Sequence, residues 1–142
     1  MTVMDKRIMI YSRKDGIYVI PDGITTEGAN LHTEPFEYLH DSSDPQEIWG
    51  AVEKALSNAN RRVPHPKSWS FITPWYQKAG VKSWGQFAGS AKAVSIVEDD
   101  EHYTIKTHRW ERGSLISQKE TMKVLPKSVL KTQLAETIKQ LL

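Results

Sequence analysis

The chain has 142 residues, no cysteine, 39% hydrophobic and 25% charged content, and a formal net charge of +2. That length fits one domain able to bury a core of its own, and the missing cysteines exclude a disulfide framework, thiolate chemistry and any Cys-based metal site. No stretch approaches the roughly 18 apolar residues of a membrane span, and the apolar patch near the N-terminus is too short and too charged for a secretory signal, so the expectation is a soluble, cytoplasmic protein without a membrane partner.

The first predicted element is a hairpin in "KRIMIYSRKDGIYVIP". Ile8 and Ile10 alternate with Arg7, Met9 and Tyr11, Asp15-Gly16 supplies the turn, and Ile17 to Ile20 return. Pro21 is expected to end the second strand because it cannot donate to a ladder. Gly23, Gly28 and Asn30 then punctuate a loop, with a short strand near Leu31–Phe36. The next element is a helix. Asp44 caps it, Pro45 takes its first position, and Glu47 follows three residues after the cap. Ile48, Ala51, Val52, Ala55, Leu56 and Ala59 repeat at the helical period, and Arg61 and Arg62 suit the dipole at its end.

Pro64 and Pro66 force extended backbone on the residues before them. Thr73-Pro74 repeats the cap-then-proline start, so "PWYQKAG" predicts a short helix stopped at Gly80. Ser83 and Gln86 have capping-box spacing for another through Phe87. A second hairpin follows, with Val94 and Ile96 on one strand, Tyr103 and Ile105 on the other, and Glu98–Glu101 at the turn. "ERGS" turns the chain again, "ETMKVLP" adds a strand, and a closing helix lines up Leu130, Leu134, Ile138 and Leu141. Two hairpins without alternating βα units predict an α+β fold: one domain, residues 1–142, with an antiparallel sheet built from hairpins and helices packed on it.

Charge is unevenly spread. Residues 1–53 hold 4 Lys/Arg against 10 Asp/Glu, residues 54–97 hold 7 against none, and residues 98–142 hold 8 against 7. Within the basic third, residues 63–84 carry three tryptophans, three prolines and three lysines. Arg61, Arg62, Lys67, Lys78 and Lys82 with Trp69, Trp75 and Trp84 offer the cations and rings of a single-stranded nucleic-acid platform. Tryptophans beside capped helix starts equally serve to wedge helices onto a sheet, and no RNP aromatics or GxxG loop accompanies them. The wedge is the preferred reading, with an RNA- or DNA-binding module over residues 61–84 as the alternative.

Catalytic signals are sparse. The five histidines, His32, His40, His65, His102 and His108, show no metal-ligand spacing. His102, Lys106 and His108 share a strand face and are the candidates for metal-free general acid–base work, a polar wet face of the sheet being the alternative. No nucleophile elbow, phosphate loop or dinucleotide fingerprint occurs. The expectation is a protein that is not an enzyme and uses no metal or cofactor.

One combination has a wider likeness. "RVPHPKSW", then "AGVKSWGQFAGSAKAVSIVED", then a strand and a closing amphipathic helix, resembles immunity proteins of contact-dependent growth inhibition systems, over roughly residues 8–142. The resemblance implies a cytoplasmic antitoxin that binds, in a 1:1 complex, the C-terminal toxin domain of a cognate CdiA protein, often a nuclease. It implies no catalytic residues, and it makes Trp69, Trp75 and Trp84 buried anchors with the lysines turned outward. The acid expected to meet such a toxin is Glu98, Asp99, Asp100 and Glu101 on the hairpin tip, with Asp41, Asp44 and Glu47 as a lesser cluster at the helix start. The basic face over residues 54–97 is the other candidate surface. The sequence leaves homo-oligomerisation open, an uncovered hairpin edge being a route to it.

Overall fold

The first hairpin forms where the alternation places it. Strand β1 (Lys6–Arg13) pairs antiparallel with β2 (Gly16–Thr25), Ile10 opposite Val19 and Ser12 opposite Ile17. The structure, a computed structural model, describes residues 5–40, 44–67, 73–89 and 91–142. Pro21 does not end β2, contrary to expectation; it pairs with Ile8 and the strand continues to Thr25. Its carbonyl accepts from Thr33 N at 2.8 Å, on the edge away from β1. The nitrogen of an extended residue faces the same edge as its carbonyl, so the missing N–H costs the β1 ladder nothing. On that outer edge β4 (Glu37–Leu39) pairs with Ile17–Val19 and β3 (Asn30–His32) with Asp22–Ile24, leaving Pro21 between them.

The second hairpin is β6 (Lys92–Glu98) and β7 (His102–Glu111). Arg112 and Gly113, at φ of 49° and 83°, then turn the chain into β8 (Ser114–Pro126), which starts well before "ETMKVLP". Positive φ at both central residues matches the twist of a tight hairpin, and glycine accepts it without strain. The two hairpins join through β1 and β6, Ile8 opposite Ile96, giving the order β3-β2-β1-β6-β7-β8. A two-residue strand, β5 (Arg62–Val63), adds parallel to the end of β2. The mixed α+β architecture with a mainly antiparallel sheet is as expected.

Helices cover both faces of this sheet. Ile8, Ile10, Ile17, Val19, Val94, Ile96 and Ile105 point to the first face, under α1 (Pro45–Ser57) and α4 (Lys131–Leu141). Met9, Tyr11, Tyr18, Ile20 and Ala93 point to the second, under α2 (Pro74–Ala79) and α3 (Trp84–Ala88). Neighbouring residues of a strand face opposite ways, so the uninterrupted runs "IMIY" and "IYVI" serve two cores at once. All six positions of the predicted α1 face are buried, and Trp49 adds a seventh, edge-on to Tyr103 at 6.0 Å.

Local chemistry sets the helix ends. Asp44 accepts from Gln46 N at 2.9 Å, Thr73 from Tyr76 N at 3.3 Å and Ser83 from Gln86 N at 3.2 Å. Gly80, at φ of 72°, closes α2 as predicted. Helix α1 stops earlier than Arg61 and Arg62. Asn58 caps it, Arg61 reaches back to the Asn58 side chain at 2.7 Å, and Arg62 already belongs to β5. Helix α4 buries Leu134, Ala135 and Ile138, whereas Leu130 precedes its first turn and is 70% exposed.

Candidate functional site

The acidic hairpin tip is built from its own backbone. Asp99 Oδ1 accepts from Glu101 N at 2.7 Å and His102 N at 2.6 Å, the turn-forming habit of aspartate. Those two N–H donors hold the Asp99 carboxyl below the usual aspartate range. Glu98 accepts from Lys127 Nζ at 2.7 Å, and Lys127 also lies over the Tyr103 ring at 5.0 Å, which braces the tip against the chain beyond β8. Glu98 and Asp99 are therefore engaged internally. Asp100 and Glu101 are exposed and face outward.

The basic, tryptophan-rich stretch divides into core and surface. Trp75 is 3% exposed and packs edge-on to His32 and Phe36, both at 6.1 Å, so its ring has no face open for a base to stack on. Trp84 is half-buried, stacked on Phe87 at 6.2 Å and edge-on to Tyr11 at 5.6 Å. Arg61, Arg62, Lys67, Lys78 and Lys82 are exposed, with Lys78 seated over the Tyr38 ring at 4.6 Å. Trp69 and Asp41 lie outside the described residues. Asp44 is exposed but spends one carboxylate oxygen on its helix cap.

Helices α2 and α3 leave part of the second face uncovered. An open cleft of about 380 Å³ is lined by Arg7, Tyr11, His32, Trp84, Lys106 and His108, among others. On its wall, His32 links Tyr11 to Asp22: its Nδ1 faces the Asp22 carboxylate and its Nε2 meets the Tyr11 hydroxyl at 2.7 Å. A carboxylate only accepts, so Nδ1 carries the proton toward Asp22, and in the neutral ring Nε2 accepts from the phenol. Burial, and then the Asp22 charge, push the Tyr11 phenol well above its ordinary pKa, which keeps that proton in place. Arg7 Nε lies 3.5 Å from the other Asp22 oxygen. The chain of contacts ties β1, β2 and β3 together. Its one sequence signal was Tyr11, a phenol in an inward-facing run that needs a partner when buried.

Across the cleft, His108 Nε2 meets Ser95 Oγ at 2.8 Å, and Ser95 is 3% exposed. Burial, then the charges of Arg7 and Lys106, lower the His108 pKa. His102 is not brought to this site. It sits at the far end of β7, 3.9 Å from Asp99, six residues or roughly 20 Å along the strand from His108. The expected His102–Lys106–His108 set is thus split, with only Lys106 and His108 sharing the cleft. Among the described residues, no group of three or more His, Asp or Glu is placed to hold a metal ion, and no helix is long and apolar enough to cross a membrane.

Comparison with known proteins is informative at the level of shape. No protein-family profile matches the chain, and no curated protein matches it. Among the solved structures similar to it, two are matched over nearly the whole of both chains. One is a protein of unknown function from Neisseria meningitidis, with a TM-score of 0.74, 14% identity, and coverage of 100% of this chain and 96% of that one. The other is a chain of the CdiA-CT/CdiI toxin and immunity complex from Yersinia pseudotuberculosis, with a TM-score of 0.72, 16% identity, and coverage of 99% and 97%. At these identities the shared property is the fold.

Proposed function

We propose that this chain is the immunity member of a toxin–immunity pair: an inhibitor that binds, one to one in the cytoplasm, the C-terminal toxin domain of a cognate CdiA contact-dependent growth inhibition protein. The observation that carries the reading is the full-length likeness to a chain of a toxin and immunity complex, with neither chain holding a large unmatched part. The inhibitor's side of such a pair fits better than the toxin's. His102, at the start of β7, is kept apart from the cleft that holds Lys106 and His108, so the histidine pair is not assembled around one centre. Trp75 of α2 and Phe87 of α3 are spent in the second core, and Arg62–Val63 pairs with the end of β2, which supports an architectural role for these stretches.

The toxin-facing surface we assign to the β6–β7 tip. Asp100 and Glu101 stand out from a turn pinned by Asp99 and Lys127, so a fixed pair of carboxylates is presented with little ordering left to do on binding. A nuclease toxin offers the complementary charge, because its active site must accommodate phosphates. Exposed charge of this kind acts mainly through the association rate.

The test is co-expression with the C-terminal domain of the large exoprotein encoded beside this chain. A stable 1:1 complex that restores growth is expected. Reversal of both tip charges, Asp100→Lys with Glu101→Lys, is expected to slow association about tenfold or more at low salt and much less at high salt. A toxic neighbour that the wild-type chain neither binds nor silences would overturn the immunity reading. Full protection with an unchanged association rate in the double reversal would move the interface elsewhere.

A further inference from the structure

The uncovered cleft carries an inference that does not depend on the immunity reading. We propose that it is a binding site for a phosphate group, held between Arg7 of β1 and Lys106 of β7, with Ser95, His108 and Ser117 as hydrogen-bonding partners and Trp84 as an aromatic side wall for the remainder of the ligand. All six residues line the same space.

The charge balance points to an anion. Among the described residues no Asp or Glu lines this cleft, while two permanent cations do. Asp22, which faces Arg7, is already shared between His32 and Arg7. Arg7 Nε is buried and finds no properly aligned hydrogen-bond acceptor among the described residues, and Arg7 Nη2 has only the Met9 sulfur, at 3.9 Å. The Lys106 side chain has no hydrogen bond or ion pair among the described residues. A guanidinium left in this state can give two N–H bonds to two oxygens of one phosphate group, with a lysine beside it as a point charge.

The remaining walls agree with that chemistry. Ser95 and His108 already bond to each other, so both are positioned rather than free to swing. His108 is held toward its neutral form by burial and then by the same two cations. Tyr11 and His32, facing from β1 and β3, are bonded to each other, and His32 in turn to Asp22, so neither adds a negative charge of its own to the cleft. A volume of about 380 Å³ accommodates a small organic phosphate. An adjoining cleft of about 450 Å³ shares Arg7, His32 and Trp84 and adds Leu31 beside the paired Asp22, giving room for a flat ring against Trp84.

The experiment follows the His108 ring resonances of the full chain by NMR while inorganic phosphate, adenosine 5′-monophosphate or acetate is added. A saturable shift with phosphate at about millimolar concentration or below is expected, a modest affinity by the usual scale. Adenosine monophosphate should bind tighter, and Trp84→Leu should remove that gain while leaving inorganic phosphate unchanged. Lys106→Met should weaken both phosphates about tenfold or more. This substitution removes no side-chain hydrogen bond or ion pair seen among the described residues, and its folding is checked by an unchanged amide spectrum away from the cleft. Arg7→Met should do the same, but it also removes the counter-charge of Asp22, so Lys106→Met is the deciding variant. No saturable shift by about 10 mM, or equal affinity in Lys106→Met, overturns the proposal. Acetate binding as tightly as phosphate would overturn the assignment to phosphate.

Discussion

Truncation of Phe87 to alanine probes whether the second helical layer belongs to the cooperative fold. Phe87 is fully buried, with ring centroids at 5.2 Å from Tyr11, 5.1 Å from Tyr18 and 5.7 Å from Tyr76, and the Arg13 guanidinium 5.0 Å from its own ring. Helices α2 and α3 have 6 and 5 residues, too short to persist without packing. Phe87 is the side chain through which α3 enters the core. Loss of a buried phenylalanine side chain costs about 3–5 kcal/mol, transfer and cavity together. For a domain of this size that corresponds to a fall in Tm of roughly 10–15 °C. Gln86→Ala, one residue away and exposed, removes only the acceptor for Lys82 N and should cost about 1 kcal/mol or less. Thermal and denaturant unfolding followed by tryptophan fluorescence read both variants. A Phe87→Ala protein that melts within about 2 °C of wild type would refute this assignment, because α3 would then be an appendage rather than part of the core.

Other consequences are equally direct. Asp44→Ala removes the α1 cap to Gln46 N and should destabilise the fold by about 1 kcal/mol in urea titration, with Asp44→Asn or Asp44→Ser recovering most of it. Gly16→Ala should cost more than about 1 kcal/mol, since Gly16 has φ of 146° and an added Cβ would stand 2.8 Å from the Leu39 carbonyl oxygen. Asp99 has a lowered folded pKa, so its contribution to the tip is complete above about pH 4 and drains away as pH falls through that lowered value; Asp99→Ala should abolish this dependence in an NMR titration of Glu101 and His102 amides. His108 is also lowered, by burial and then by Arg7 and Lys106. The unfolded chain therefore binds the extra proton first, and stability should decline as pH drops below about 6.5 until the folded pKa is passed. Comparison of His108→Gln with wild type over that window checks the sign, and an identical slope in the two proteins would contradict it.

Much of this protein was determined by short-range chemistry and so was legible in its sequence. Asp44-Pro45, Thr73-Pro74 with Gly80, and Ser83 with Gln86 mark helix ends because a side-chain oxygen, a fixed φ and a left-handed glycine act within four residues. Asp99 forms its turn by the same local logic, and Arg112-Gly113 turns the chain between strands. The misreadings also have physical reasons. Pro21 looked like a strand end because its missing N–H was counted against the β1 ladder, whereas the fold turns that nitrogen to the gap between β3 and β4. Arg61 and Arg62 looked like a helix terminus until β5 drew the chain back to β2.

What only the tertiary structure decided is where distant strands meet. The pairing of Lys6 with Glu98 and of Ile8 with Ile96 puts β1 at the centre of the sheet, and nothing local to either segment encodes it. That one adjacency gives the sheet its two covered faces. It also brings Arg7 from one end of the chain to Lys106 and His108 from the other, and it aligns Tyr11 with His32 and Asp22. Helix caps and turns are closed by neighbours along the chain; a site shared by β1, β6, β7 and β8 exists only once chain entropy has been overcome to join them.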